Sequence, residues 1–402
     1  MQKDLKKIRR WKGFVGDVIN YRKNEKFTLD PVLTIFVEKK LSEAQCKKER
    51  RKIIPKAIGG VGTDVVEMEM PVADDMDNTW IHTPQKLNTR VDHSKPVYPG
   101  CSASNIKGTA GTHGEFFRDE PFEDKFYGGL NVHVGFERVD MDISEQDRTI
   151  VKPGPADGGT RDDKIGDLTT GTRINLNGGT NTRDSCLFEY DDNDDVNPDV
   201  PGYGVVEGVS EIVIGEYGLK PPCRSLGERT GKKLYKDAAI RVRYKNGVGT
   251  LTGCNVWESM SIGGTSGATI RTPDKRFATD TIFAGSGTHT ISIPFMQNWK
   301  VYGKELVTKG WWENYLDDDR PDDPPDDDGM PNMNLNDGLI GVAFSLIMIG
   351  AYLIGKGDVP VGAGLIILGI LVGAVAVFLK ANDDKSEPET KDWQTPPQTS
   401  TY

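Results

Sequence analysis

Five histidines and five cysteines are all that 402 residues contain. Cys46, Cys101, Cys186, Cys223 and Cys254 form no CxxC pair and no metal-like spacing, which excludes the common structural zinc sites. Their odd number leaves at least one thiol without a partner in the chain. Reduced, buried thiols are the expectation, with room for one bridge. Nothing resembles a zinc motif, a phosphate loop or a dinucleotide fingerprint, so no metal and no cofactor is expected. A formal net charge of −10 speaks against a general nucleic-acid surface. The stretch KDLKKIRRWKGF, residues 3–14, is locally basic and reads either as a frayed cationic end or as a face for anionic lipid or polymer. No apolar core of a secretory signal stands at this end, and helix-like runs are scarce before residue 330.

Turn residues are plentiful. Forty-six glycines and 23 prolines punctuate short β-branched runs such as VLTIFVEK, IVIGEY and TISIPF. This pattern predicts a mainly antiparallel β protein with many loops. Residues 316–332, LDDDRPDDPPDDDGMPN, concentrate carboxylates and prolines with almost nothing to bury. They predict an extended, self-repelling linker rather than a caged cation site, and a domain boundary near residue 315. Beyond the linker, residues 339–354 and 359–379 are apolar over 16 and 21 positions, with only GKGD between them. A hydrocarbon core takes about 20 apolar residues as a helix. The pair therefore predicts a transmembrane helical hairpin, with Gly362, Gly369, Gly373 and Ala374 suited to close packing. Two buried helices of a soluble core are the alternative, and an uncharged 16 and 21 sit badly there. The simplest topology leaves the preceding domain in the cytoplasm or inside a particle, with lipid as the partner of the hairpin and a polar tail at 380–402.

Three residues stand out as candidates for chemistry. Ser266 lies in GGTSGA, residues 263–268, where small neighbours allow a tight turn. His133 lies in FYGGLNVHVGF at the end of an alternating apolar stretch, and Asp184 in NTRDSCLFEY just before another. Alone, each reads as readily as a structural residue. Their order, with gaps of 51 and 82 residues, is that of His, Asp and Ser in double β-barrel serine proteases. His113 in TAGTHGEFF and His289 in GSGTHTIS read as satisfied core or surface histidines.

At these residues the chain resembles the trypsin-like serine peptidases of bacteria and archaea related to the plant protein NARROW LEAF. LTIFVEKKL (33–41) and IPKAIGGVGTDVVEM (54–68) are similar to that family's amino-terminal segment, and PGCSASNIKGTAGTHGEFFRD (99–119) to its entry into the first barrel. LNVHV (130–134), PGPADGG (153–159), NTRDSCLFEY (181–190), LGERTG (226–231), GGTSGA and IFAGSGTHTISIPF (282–295) follow in the family's order. The resemblance covers roughly residues 12–300. It implies a chymotrypsin-like double β-barrel at 99–315 behind an amino-terminal basic and β segment at 1–98. It also implies Ser266 as nucleophile, His133 as general base and Asp184 as its orienting acid, with the amides of Gly264 and Ser266 as the oxyanion hole. A substrate pocket is expected around Glu258 and Met260 and along the strand with Gly285 and Ser286.

Two departures accompany the resemblance. Thr265 stands where the family has an acidic residue, and Val132 where it has a polar one. The expectation is a membrane-anchored serine endopeptidase acting on protein or peptide substrates, with oligomers possible. An inactive membrane-associated scaffold of the same fold is the alternative.

Overall fold

The computed structural model describes residues 2–23, 26–73, 96–119 and 125–317. The hairpin, the polar tail and the acidic run from residue 318 lie outside the described residues. Among the described residues no helix is long and apolar enough to cross a membrane.

The basic opening is a helix, α1 (Gln2–Ile8), and not a frayed end. Leu5 and Ile8 are buried with Phe14, Leu33, Ile35 and Ile58, so the apolar positions among the lysines supply one packed face. Arg9 adds a bidentate pair to Asp17, with both nitrogens 2.8 Å from the carboxylate. Strands β1 (Phe14–Lys23) and β2 (Lys26–Val37) follow, then α2 (Glu43–Lys48), β3 (Ala57–Ile58) and β4 (Val61–Glu67). Next come β5 (Ser102–Asn105), β6 (Gly111–Thr112), β7 (Phe116–Arg118), β8 (Phe126–Leu130), the short helix α3 (Val132–Gly135), β9 (Thr149–Val151) and β10 (Lys164–Gly171). The chain continues through β11 (Thr180–Asn181), β12 (Cys186–Tyr190), β13 (Gly208–Val209), β14 (Tyr217–Lys220), β15 (Arg229–Tyr244) and β16 (Gly247–Glu258). It closes with β17 (Thr269–Arg271), β18 (Phe277–Gly285), β19 (His289–Pro294), α4 (Phe295–Trp299), β20 (Glu305–Leu306) and α5 (Lys309–Asp317).

Two sheets organise these strands, as the turn-rich pattern requires. Eight strands order as β20-β7-β8-β12-β10-β9-β5-β6. In the larger sheet β16-β19-β18-β17-β14-β15 run side by side, and β15 pairs back to β16, so six antiparallel strands close into a ring. Closure removes the edges that an open sheet would leave unpaired. The amino-terminal strands extend this same sheet, because β1 pairs with β15 at Gly16–Ile240 and Asp17–Ala239. Residues Met1–Asp317 accordingly form one compact unit.

The ring strands carry three buried cations, Lys220 on β14, Lys233 on β15 and Arg271 on β17. Lys233 is 1% exposed on β15, donating to Ile212 O at 3.0 Å beneath the Trp257 ring. Burial pushes its pKa down, against the opposing attraction of Asp280. All five cysteines are free, and all but Cys46 are buried.

His113 is fully buried in the eight-stranded sheet's core, its Nδ1 2.6 Å from Gly114 O and its Nε2 2.6 Å from Tyr190 Oη. The carbonyl can only accept, so Nδ1 carries the proton and Nε2 receives the tyrosine hydroxyl. Burial lowers its pKa to about 4; the Gly114 hydrogen bond opposes this and Lys152 adds to it. The unfolded imidazole titrates near ~6.5, so below that pH the unfolded chain takes a proton the folded one refuses. Stability is then expected to fall as pH drops from about 6.5 toward 4, by about 1.4 kcal/mol per pH unit from this group. Urea unfolding across that range checks it: the slope should flatten in His113→Leu, and an unchanged slope would disprove the assignment.

Candidate active site

Asp184 lies in the turn before β12 and is fully buried. Three donors converge on its carboxylate. The Val132 amide reaches Oδ1 at 2.7 Å, while His133 Nδ1 and Tyr244 Oη reach Oδ2 at 2.8 and 3.0 Å. A carboxylate facing Nδ1 makes that nitrogen the donor and leaves the neutral ring's lone pair on Nε2. The His133 side chain is itself 2% exposed. It rides on α3, whose first turn starts at Asn131 and packs Val132 and Val134 into the core beneath it. Tyr244, at the far end of β15, carries no local sequence mark of this role; it comes from the other sheet, 60 residues on from Asp184.

Ser266 belongs to the loop between β16 and β17. Gly264 and Gly267 have φ of +82° and +101°, which glycine adopts without strain. Space demands glycine as well. A Cβ on Gly267 would come within 1.9 Å of Thr112 O, and one on Gly264 within 1.9 Å of the Arg224 guanidinium. That guanidinium is in turn held by Asp157, with Nη2 at 2.9 Å from Oδ1. The amides of Thr265, Gly267 and Ala268 are taken by Ile262 O, Ile282 O and Thr265 O. Among the described residues, the amides of Gly263, Gly264 and Ser266 donate to no acceptor, so the two named from the sequence are among those this loop leaves available.

Thr265 stands where the sequence departs from the family it resembles. It is fully buried, and its Oγ1 accepts the Ile262 amide at 3.1 Å and meets Ser225 Oγ at 3.2 Å. A neutral hydroxyl thus closes the turn where a carboxylate would need a buried cation. Thr265→Val keeps the shape and removes the acceptor of the amide of the exposed Ile262, with an expected cost of about 0.5–1.5 kcal/mol in denaturant unfolding. A loss below a few tenths would show that the hydroxyl does not hold the loop.

The His133 helix and the Ser266 loop flank β6. Thr112 N–H donates to Ser266 O at 2.8 Å, and Gly111 lies against the Val134 methyls. Asn131 Oδ1 is 3.6 Å from where a Gly267 Cβ would stand, and neither polar atom of that buried amide has a partner among the described residues. Asp184 and His133 are therefore brought into a hydrogen bond. The Ser266 hydroxyl instead has Phe283 O at 3.3 Å and Ala73 O at 3.4 Å as its acceptors.

The four pocket positions separate. Glu258 is exposed at the end of β16, where its Oε2 accepts the Lys232 amide at 3.0 Å. Met260 is 1% exposed in a core cluster with Trp257 and Ile270, and so presents no lining surface. Gly285 and Ser286 do stand at the end of β18 beside Ser266's acceptor Phe283. The residue facing them is Ser261, whose Oγ is 2.5 Å from an ideal Gly285 Cβ and 2.7 Å from Thr290 Oγ1. Among the described residues no group of three or more His, Cys, Asp or Glu side chains could hold a metal ion.

No protein-family model matches the chain, and no curated protein matches it. Solved structures similar to about half of it include Thermobifida fusca protease A, at 19% identity and a TM-score of 0.38, covering 53% of this chain and 98% of that one. Cellulomonas bogoriensis chymotrypsin is similar at 14% identity and a TM-score of 0.34, again over 53% and 98%. Tobacco etch virus protease in complex with product gives 12% identity and a TM-score of 0.28, over 54% and 84%.

Proposed function

We propose that the chain is a serine endopeptidase of chymotrypsin-like architecture, with Ser266 as nucleophile, His133 as general base and Asp184 as the residue that orients it. The observation that carries this reading is the fully buried Asp184 bonded to His133 Nδ1 at 2.8 Å. A buried carboxylate fixes the tautomer and stabilises the imidazolium that forms when Nε2 takes a proton. Serine needs such a base, because a neutral hydroxyl attacks a carbonyl poorly. Ser266 Oγ would bond to the peptide carbonyl carbon as its proton passes to His133 Nε2. The developing oxyanion would face the amides of Gly264 and Ser266, a donor of this kind contributing about 2.7–4 kcal/mol. Collapse would send the proton to the leaving amine, and water would release the acyl group by the same steps.

For this chemistry the Ser266 hydroxyl must turn from Phe283 O and Ala73 O toward His133. Catalytic hydrogen bonds often form only with substrate bound. A second reading, a peptide-binding scaffold without chemistry, draws on that same orientation of Ser266 and on Thr265. The apolar runs at 339–354 and 359–379 would anchor either protein to a membrane, with the acidic run as tether and the compact unit on the cytoplasmic or particle-interior side. The test is treatment of the full-length chain with a fluorophosphonate probe, followed by mass mapping of the adduct. An adduct on Ser266 is expected; a folded, unlabelled chain would overturn the hydrolase in favour of the scaffold.

A further inference from the structure

Ala73, whose carbonyl faces the Ser266 hydroxyl, belongs to a stretch of extended chain clasped from both sides. On one side Val72 exchanges both backbone bonds with Gly285, N–H to O at 2.9 Å and O from N–H at 3.2 Å. On the other, the Arg243 amide donates to Pro71 O at 2.9 Å, and the Ala73 amide to Arg243 O at 3.0 Å. These are an antiparallel and a parallel bridge outside any named strand. Just upstream, Glu69 Oε2 accepts the Gly287 amide at 3.2 Å. Ala73 is 5% exposed within the main core, and Val72 is half-buried.

Backbone bonds to a strand end, with small side chains seated beneath, are how a sheet takes up an added peptide. We propose that the groove between Arg243 and Gly285, beside Ser266, is a binding site for an extended peptide with small aliphatic side chains, and that residues 71–73 are its resident occupant. Its consequence for catalysis rests on Ser266 being the nucleophile; the occupancy itself does not. A tethered occupant competes at an effective concentration on the order of millimolar. The resting chain is therefore latent toward external peptides that bind more weakly than that, and releasing the segment opens the groove.

The experiment uses the full-length chain in a Ser266→Ala background, so that binding is read without chemistry. A fluorescein-labelled, amino-acetylated peptide of sequence EMPVADD is titrated by anisotropy into Ser266→Ala alone and into the same chain carrying Val72→Pro and Ala73→Pro. The prolines remove the two amides that reach Gly285 O and Arg243 O. The released chain is expected to bind the peptide about tenfold more tightly than its parent, or better, and to ignore EMPPPDD. If the proline chain melts early, Val72→Gly with Ala73→Gly replaces it and the same ordering decides. Equal affinities, or no binding by the released chain, would overturn the proposal. Because Ser266 is absent throughout, a chain that never reacts with fluorophosphonate leaves this result unaffected.

Discussion

Replacing Ser266 by alanine in the full-length chain is expected to abolish fluorophosphonate labelling and to lower peptide hydrolysis by ~10⁴-fold to ~10⁶-fold. His133→Ala should do the same, because the two act as one unit: without the base the hydroxyl keeps its proton, and without the hydroxyl the base has nothing to activate. The double variant should be no worse than either single one, which a merely additive structural effect would not give. Ser210, exposed before β14 and away from the loop, serves as the control, and Ser210→Ala should label as the parent does. Labelling that survives Ser266→Ala would move the reactive hydroxyl elsewhere. Labelling that survives His133→Ala would separate the serine from the Asp184–His133 pair.

Asp184→Asn is expected to lower the rate by ~10⁴-fold while leaving the fold in place. An amide can still accept from Val132, but its NH₂ facing His133 favours the tautomer with its proton on Nε2, where the lone pair is needed. The loss should fall on kcat and not on KM, since the fully buried Asp184 does not itself touch substrate. Asp184→Ala goes further. It leaves the Val132 amide, His133 Nδ1 and the Tyr244 hydroxyl without their shared acceptor inside the core. Each abandoned buried donor costs about 1–3 kcal/mol, so this variant should unfold at markedly lower denaturant as well as lose activity. An Asp184→Asn protein within tenfold of the parent would mean that the carboxylate is a structural acceptor only.

Much of the site lies in short stretches that a reader of the chain can find. The tight turn around Ser266 is written in its glycines, because positive φ and the approach of Thr112 O leave no room for a Cβ. Alternation marks β15 as a strand, and the same pattern marks Lys233 as a buried cation once the ring is known to be closed. The basic opening was legible only in part. Its lysines announce a solvated face, whereas Leu5 and Ile8 bury a face against strands that pair with it only through β1 and β2. Met260 fails as a pocket residue for a related reason. Proximity to Ser266 in sequence says nothing of which way the chain beyond β16 turns its side chain, and here it is buried against Trp257 and Ile270.

Periodicity and turn chemistry, being local, determine the strands and the glycine turn, while the order of His133, Asp184 and Ser266 and the family resemblance single out those three as candidates. Tertiary structure alone decides that Tyr244 shares Asp184 with His133, that a threonine hydroxyl closes the Ser266 loop, and that residues 71–73 lie at Ser266 between Arg243 and Gly285. The last contact spans 193 residues. It exists because closure of the six-stranded ring and the addition of β1 and β2 to β15 bring the Ala73 carbonyl within hydrogen-bond distance of the Ser266 hydroxyl. Backbone amides and carbonyls carry no sequence signature, so a site built from them becomes visible only when the sheet that aligns them has formed.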